Sequence, residues 1–162
     1  MSQRCVIPDA FRFAGEHRSL QGRVGLASLS RLAASLASHE GEIEFRIDGR
    51  VDEQRRMLLE LTASGVLGLQ CQRCLTPMQW PFRIESTLWL VRPGEEIPEE
   101  ELEDEDRDAV EVHPDMDVHA LVEDEILLAV PIVPRHEVCE PPQPVGGTDK
   151  ASPFAVLSAL KK

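Results

Sequence analysis

Between residues 42 and 91 the chain spells out runs of strand-forming residues, joined by connectors too short to hold a crossover helix. Residues 42–49 alternate polar and apolar, which places Ile43, Phe45 and Ile47 on one face. Residues 57–65 are more apolar and read as a more deeply buried strand, and Val66, Leu67 and Leu69 lead on into Cys71. Residues 82–91 offer Phe82, Ile84, Leu88 and Leu90 to an interior, with a bulge expected near Ser86. Parallel neighbours need a connection of about a dozen residues or more. The gaps here are shorter, so antiparallel pairing is expected.

Helical spacing flanks this block. Leu26, Leu29, Leu32, Ala33 and Leu36 recur at three- and four-residue intervals, which predicts a helix over 26–38 that ends at Gly41. A second helix is predicted over 117–129, capped by Asp115 or Asp117 and stopped by Pro131. Val118, Leu121, Val122, Glu125, Ile126 and Ala129 follow one side of it, so Glu125 is expected to be buried and paired, for example with an arginine. Residues 131–144 hold five of the twelve prolines and must be extended. A linker over 139–152 then leads to a short helix at 153–161, with Ser152 as cap, Pro153 at its first position and Phe154, Leu157 and Leu160 on one face. The expected class is α+β: an antiparallel sheet, open or partly closed into a barrel, packed with two helices and the short C-terminal one.

Aromatic residues make up only 4% of the 162 residues and tyrosine is absent, so the core must rest on Leu, Val, Ile and Ala. No stretch is apolar enough for a membrane span, and the first residues lack the apolar core of a signal peptide. Four cysteines are too few for a disulfide scaffold, so a cytoplasmic setting with free thiols or metal-bound thiolates is expected. Charge divides unevenly: residues 1–92 carry a net +2 and residues 93–162 a net −14. Ten acids crowd into 95–108, a pattern expected of a mobile, solvated surface loop. This imbalance argues against a chain that coats nucleic acid with its whole surface. It leaves room for a local arginine face and for an acidic segment that meets a basic partner.

Four residues have the spacing of metal ligands. Cys71 and Cys74 form a C-x-x-C pair, and His136 and Cys139 form an H-x-x-C pair. Together they could supply the four ligands of a structural zinc site, whose filled shell leaves no place for a reactive water. The alternative is a set of reduced thiols at a strand end. A redox C-x-x-C fits poorly, since such motifs open a helix after a buried strand. Cys5 reads as a small apolar residue. His113 and His119 lie near Asp115, Asp117, Glu123, Asp124 and Glu125, which suits the acid-rich start of a helix better than acid–base machinery. For nucleic acid, Arg12, Arg18, Arg23, Arg31, Arg46, Arg50, Arg55, Arg56, Arg73 and Arg83 could meet phosphate. Phe11, Phe13, Phe45, Trp80, Phe82 and Trp89 could stack on bases, although core roles explain most of them.

Four blocks carry a resemblance: Cys-Gln-Arg-Cys-Leu-Thr-Pro at 71–77, Val-Glu-Asp-Glu-Ile-Leu-Leu-Ala-Val-Pro-Ile-Val-Pro at 122–134, His-Glu-Val-Cys at 136–139 and Pro-Phe-Ala-Val-Leu-Ser-Ala-Leu-Lys at 153–161. In this order they resemble the YceD family, whose members are called large ribosomal RNA subunit accumulation proteins. The resemblance implies one YceD-like domain over 1–162. It also implies a non-enzymatic bacterial cytoplasmic factor needed for the synthesis, processing or stability of 23S ribosomal RNA. The family supplies no settled catalytic residues. Implied partners are large-subunit precursor particles, ribosomal RNA, or a basic ribosomal or processing protein. The competing readings are an acidic protein-binding adaptor with a structural zinc site and a metal-dependent nuclease.

Overall fold

A computed structural model describes residues 5–97 and 107–142. The expected C-terminal helix at 153–161, most of the linker and the centre of the acidic stretch lie outside the described residues. The elements run β1 (Val6–Ile7), α1 (Ala10–Gly15), β2 (Ser19–Gly25), a 3-10 turn (Leu26–Ser28), α2 (Ser30–Ala33), β3 (Glu42–Val51), β4 (Met57–Gln70), β5 (Pro77–Val91), β6 (Asp108–Glu111), β7 (Met116–Asp117) and α3 (Val118–Ala129).

Five strands form one sheet in the order β2-β3-β4-β5-β6. The first four are antiparallel neighbours, as the short connectors require. β6 departs from this pattern, pairing parallel to β5 with Leu88 opposite Asp108 and Val91 opposite Glu111. The expected boundary of the acidic stretch at 108 is corrected because Asp108 begins a strand. No pairing joins β2 to β6, so among the described residues the sheet is open and the barrel expectation is not met.

The alternation read from sequence sets the register. Phe45 faces Ala63, Ile47 faces Leu61, and Leu59 faces Leu88, all on the core side. The pairing of β4 with β5 runs unbroken from Leu58 opposite Trp89 to Gln70 opposite Pro77, so the bulge at Ser86 is absent. Ser86 takes the inward slot opposite Leu61, in step with Ile84 and Leu88. A polar residue in an inward place mimicked a slip of period. Pro81 is tolerated because β6 covers β5 only from Leu88 to Val91, leaving Pro81 on an edge.

One hydrophobic core lies on one side of this sheet, roofed by α1, by the leucines of 26–32 and by α3. Asp9 caps α1 by accepting from the Arg12 amide at 2.9 Å. The helix rests on Gly49 of β3, where an added Cβ would stand 2.6 Å from the Phe13 carbonyl oxygen. Only glycine permits that approach. β1 pairs with β7, placing the N-terminal strand beside the start of α3. Asp117 caps α3, accepting from the amides of His119 at 2.9 Å and Ala120 at 3.2 Å.

The helix expected over 26–38 is replaced by a 3-10 turn and the four-residue α2, with Leu29 non-helical between them. Leu26, Leu29 and Leu32 are nonetheless fully buried, so the apolar face was read correctly and its backbone was not. The cause is tertiary. The carboxylate of Glu123 on α3 accepts from the amides of Arg31 at 2.8 Å and Leu32 at 3.0 Å, satisfying donors at the start of α2. Further on, the Ala37 amide donates to the Gly68 carbonyl at 2.7 Å, drawing the chain onto β4.

Candidate metal centre

The turn between β4 and β5 folds tightly on itself. The Cys71 amide donates to the Thr76 carbonyl at 3.0 Å and the Leu75 amide to the Cys71 carbonyl at 2.9 Å. This brings Cys71 and Cys74 to one point. It also forces Leu75 into the left-handed region, at φ 63°, which costs a residue with a Cβ roughly 1–2 kcal/mol. Strain of this size persists where the surroundings over-determine a conformation.

The segment after α3 reaches the same point. The Gln72 amide donates to the Pro134 carbonyl at 2.8 Å, the His136 amide to Cys71 Sγ at 3.4 Å, and Arg73 Nη1 to the Cys139 carbonyl at 3.1 Å. The ligand atoms of Cys71, Cys74, His136 and Cys139 consequently all lie within 4.8 Å of one another. Cys71 Sγ is 3.7 Å from Cys139 Sγ, and Cys74 Sγ is 3.3 Å from His136 Nδ1. A tetrahedron built on bonds of about 2.3 Å has edges of about 3.8 Å. The four side chains are thus spaced as a donor set able to hold a metal ion.

Electrostatics favour ionised sulfur at Cys71 and Cys74 but not at Cys139. Burial opposes charge on Cys71, but the backbone N–H groups of Cys74, His136 and Arg73 outweigh it and bring its thiol down to about 5. The Thr76 hydroxyl and amide lower Cys74. His136 is raised by its hydrogen bonds to Cys71 and Cys74, and Cys139 is raised by burial and by the two neighbouring thiols. A metal replaces protons on such a set, since it needs deprotonated sulfur and neutral imidazole.

The other sequence candidates are placed elsewhere. Cys5 stands apart, its thiol raised by burial and by the nearby Asp117 charge. His113 is exposed and lies 3.5 Å from Glu111, whereas His119 packs edge-on against Phe45 with ring centroids 6.0 Å apart. The two histidines build no common site. The expectation for Glu125 needs correction. Glu125 is buried, but the carboxylate that holds an arginine is Glu123, whose Oε2 accepts from Arg31 Nε at 3.1 Å. The sequence held one signal for this pair: Arg31 is the sole charged residue within 26–38.

Most of the arginine face is occupied. Seven of the ten candidates pair with carboxylates: Arg12, Arg23, Arg31, Arg46, Arg50, Arg56 and Arg83. The aromatics are engaged as well. Phe13, Phe45 and Phe82 are buried, Trp80 stacks on Phe82, Arg56 covers Trp89 and Arg92 covers Phe11. No helix among the described residues is long and apolar enough to cross a membrane.

Comparison with known proteins gives a consistent result. No solved structure matches the chain. It is 29% identical over 167 residues to the large ribosomal RNA subunit accumulation protein YceD of Haemophilus influenzae, covering 95% of this chain and 94% of that protein. The family model described as large ribosomal RNA subunit accumulation protein YceD matches residues 59–161, from near the start of β4 through both halves of the Cys/His cluster. The chain belongs to the YceD family.

Proposed function

We propose that this protein is a non-enzymatic factor in large-subunit biogenesis, supporting the synthesis, processing or stability of 23S ribosomal RNA in the bacterial cytoplasm. The observation that carries the reading is the family match, which runs across the Cys/His cluster and shares its name with the Haemophilus relative. Cys71, Cys74, His136 and Cys139 hold one structural zinc ion, because three sulfurs and one imidazole suit a tetrahedral zinc site. With four protein ligands the ion has no open position, which speaks against a metal-dependent nuclease.

The state of the arginines favours a protein as the direct contact. Phosphate binding would have to displace carboxylates already paired with seven of them. The strongly acidic second half suits a basic ribosomal or processing protein on the precursor particle. Deleting the gene is expected to lower mature 23S relative to 16S ribosomal RNA; an unchanged ratio overturns the biogenesis reading. Capture with and without ribonuclease separates the contacts, since a protein partner is retained after RNA digestion. Anaerobically purified protein is expected to carry one equivalent of zinc.

A further inference from the structure

Helix α3 carries both buried charged side chains of the described residues, and their surroundings differ. Glu123 is engaged by the Arg31 and Leu32 amides and by Arg31 Nε. Glu125 is only 9% exposed, yet no hydrogen bond or ion pair among the described residues reaches it. At 3.6 residues per turn the two lie about 200° apart around the helix, so Glu125 projects away from α2 and its arginine. A carboxylate that loses most of its water and gains no cation costs the fold stability. No fully enclosed side-chain oxygen among the described residues lacks a partner. The Glu125 carboxylate therefore keeps an opening to the surface, through which a cation from outside can reach it.

The surface around that opening is apolar and acidic. Residues three and four positions apart share a helix face, which sets Leu128 and Ala129 beside Glu125. Leu128 is 78% exposed and Ala129 is exposed as well. A large aliphatic thus stands in solvent one turn from a buried acid without a partner. The charge of the neighbourhood has one sign: residues 124–140 hold four acids against one arginine, a net −3. Such a face repels phosphate and attracts a cationic protein segment. A second copy of this chain, at net −12, carries the wrong charge for it.

We propose that the side of α3 bearing Glu125, Leu128 and Ala129 docks a basic protein of the large subunit, which places an arginine or lysine on the Glu125 carboxylate and an aliphatic side chain on Leu128. This deepens the biogenesis reading and rests on it for the source of the partner. Pairing in the complex would give Glu125 the cation that the free fold withholds.

The test uses the full chain with photoreactive benzoylphenylalanine in place of Leu128, irradiated with the RNA-free proteins of the large subunit. Cross-links to a basic member of that set are expected. Glu125→Gln, which keeps the shape and removes the charge, is expected to lower their yield by ~10-fold or more. Glu44→Gln, on the outer face of the sheet, is expected to leave the yield unchanged. Free Glu125→Gln protein is expected to melt at or above the wild-type midpoint, because it loses an uncompensated buried charge. A lower midpoint would make Glu125 a structural residue and overturn the proposal. Equal losses from the two variants, no cross-link from position 128, or cross-links only to a second copy or to added ribosomal RNA also overturn it. None of these failures touches the 23S to 16S ratio after gene deletion, so the surface can fall while the biogenesis reading stands.

Discussion

Strands β3 and β4 bury Ile43, Ile47, Leu59 and Leu61 completely, whereas the segment from 131 to 142 leaves Ile132 98% and Val138 92% exposed. The first region is held by area: each fully buried aliphatic contributes about 1.5–3 kcal/mol, and the backbone ladder is continuous across three strands. The second has no ladder. Its anchors are Gln72 to Pro134, His136 to Cys71, Arg73 to Cys139 and the convergence of the four Cys and His side chains. One sequence thus uses two ways of fixing a chain. A proline-rich stretch that buries little apolar surface can still be located if a few strong bonds act at one point.

The largest effect expected from breaking this contrast comes from emptying the proposed zinc site. Structural zinc contributes of the order of 10 kcal/mol in small zinc-binding peptides, far more than the hydrogen bonds that otherwise hold 131–142. Chelation, or Cys71→Ser, is expected to bring the amides of 132–140 to the exchange rates of an open chain. The amides of β3 and β4 are expected to stay protected. Hydrogen exchange read by mass spectrometry checks both at once, and equal loosening of the two regions would erase the distinction.

The converse substitution acts on the sheet. Leu61→Ala removes a side chain buried opposite Ile47 and Ser86 and is expected to cost about 2–5 kcal/mol in a urea unfolding curve. Zinc stoichiometry of the folded protein is expected to stay at one, because the ligands lie beyond the end of β4.

A smaller effect is expected at the link between α2 and α3. Glu123→Ala strips the acceptor from the Arg31 and Leu32 amides and leaves the Arg31 side chain with Asp124 as its remaining carboxylate partner. Unmet buried donors cost about 1–3 kcal/mol. The loss is expected to appear in thermal unfolding, with exchange increased over 26–33 before the sheet is affected.

How much of this was legible follows the same division. The register of the sheet follows from alternation at Ile43, Phe45 and Ile47, because a period of two has one solution once a face is buried. The convergence of Cys71, Cys74, His136 and Cys139 was legible from two short spacings, since C-x-x-C and H-x-x-C each close within one turn. Glu123 as the cap of α2 was not legible, because it depends on a carboxylate 91 positions away from Leu32. The parallel β6 was hidden for a similar reason: four residues carry no sign of direction. The left-handed Leu75 runs against local preference and is imposed by the knuckle around it.

The smallest effect lies on the outer, polar face of the sheet, where stability should respond to acid in a defined direction. Asp48 accepts from Arg46 Nε at 2.6 Å and from Arg46 Nη2 at 2.7 Å, and Ser19 donates to it from β2. The Arg46 hydrogen bonds are the main cause that holds this carboxyl below its ordinary range, with the Ser19 hydroxyl and the charges of Arg46 and Arg50 adding to it against a burial penalty. A carboxyl with a depressed folded-state pKa stabilises the fold fully above its unfolded value of about 3.9 and loses that contribution as pH falls through the folded value. Asp48→Asn is therefore expected to destabilise the protein by about 0–1 kcal/mol at pH 7, the range of solvent-accessible ion pairs. The difference from wild type is expected to shrink towards zero as pH drops through and below the ordinary carboxylate range, and to shrink at neutral pH in high salt. Paired unfolding curves at pH 7 and pH 3 measure it. A difference that stayed constant across that range would mean that Asp48 acts by shape rather than charge, and the polar face would then belong with the packed side of the sheet instead of contrasting with it.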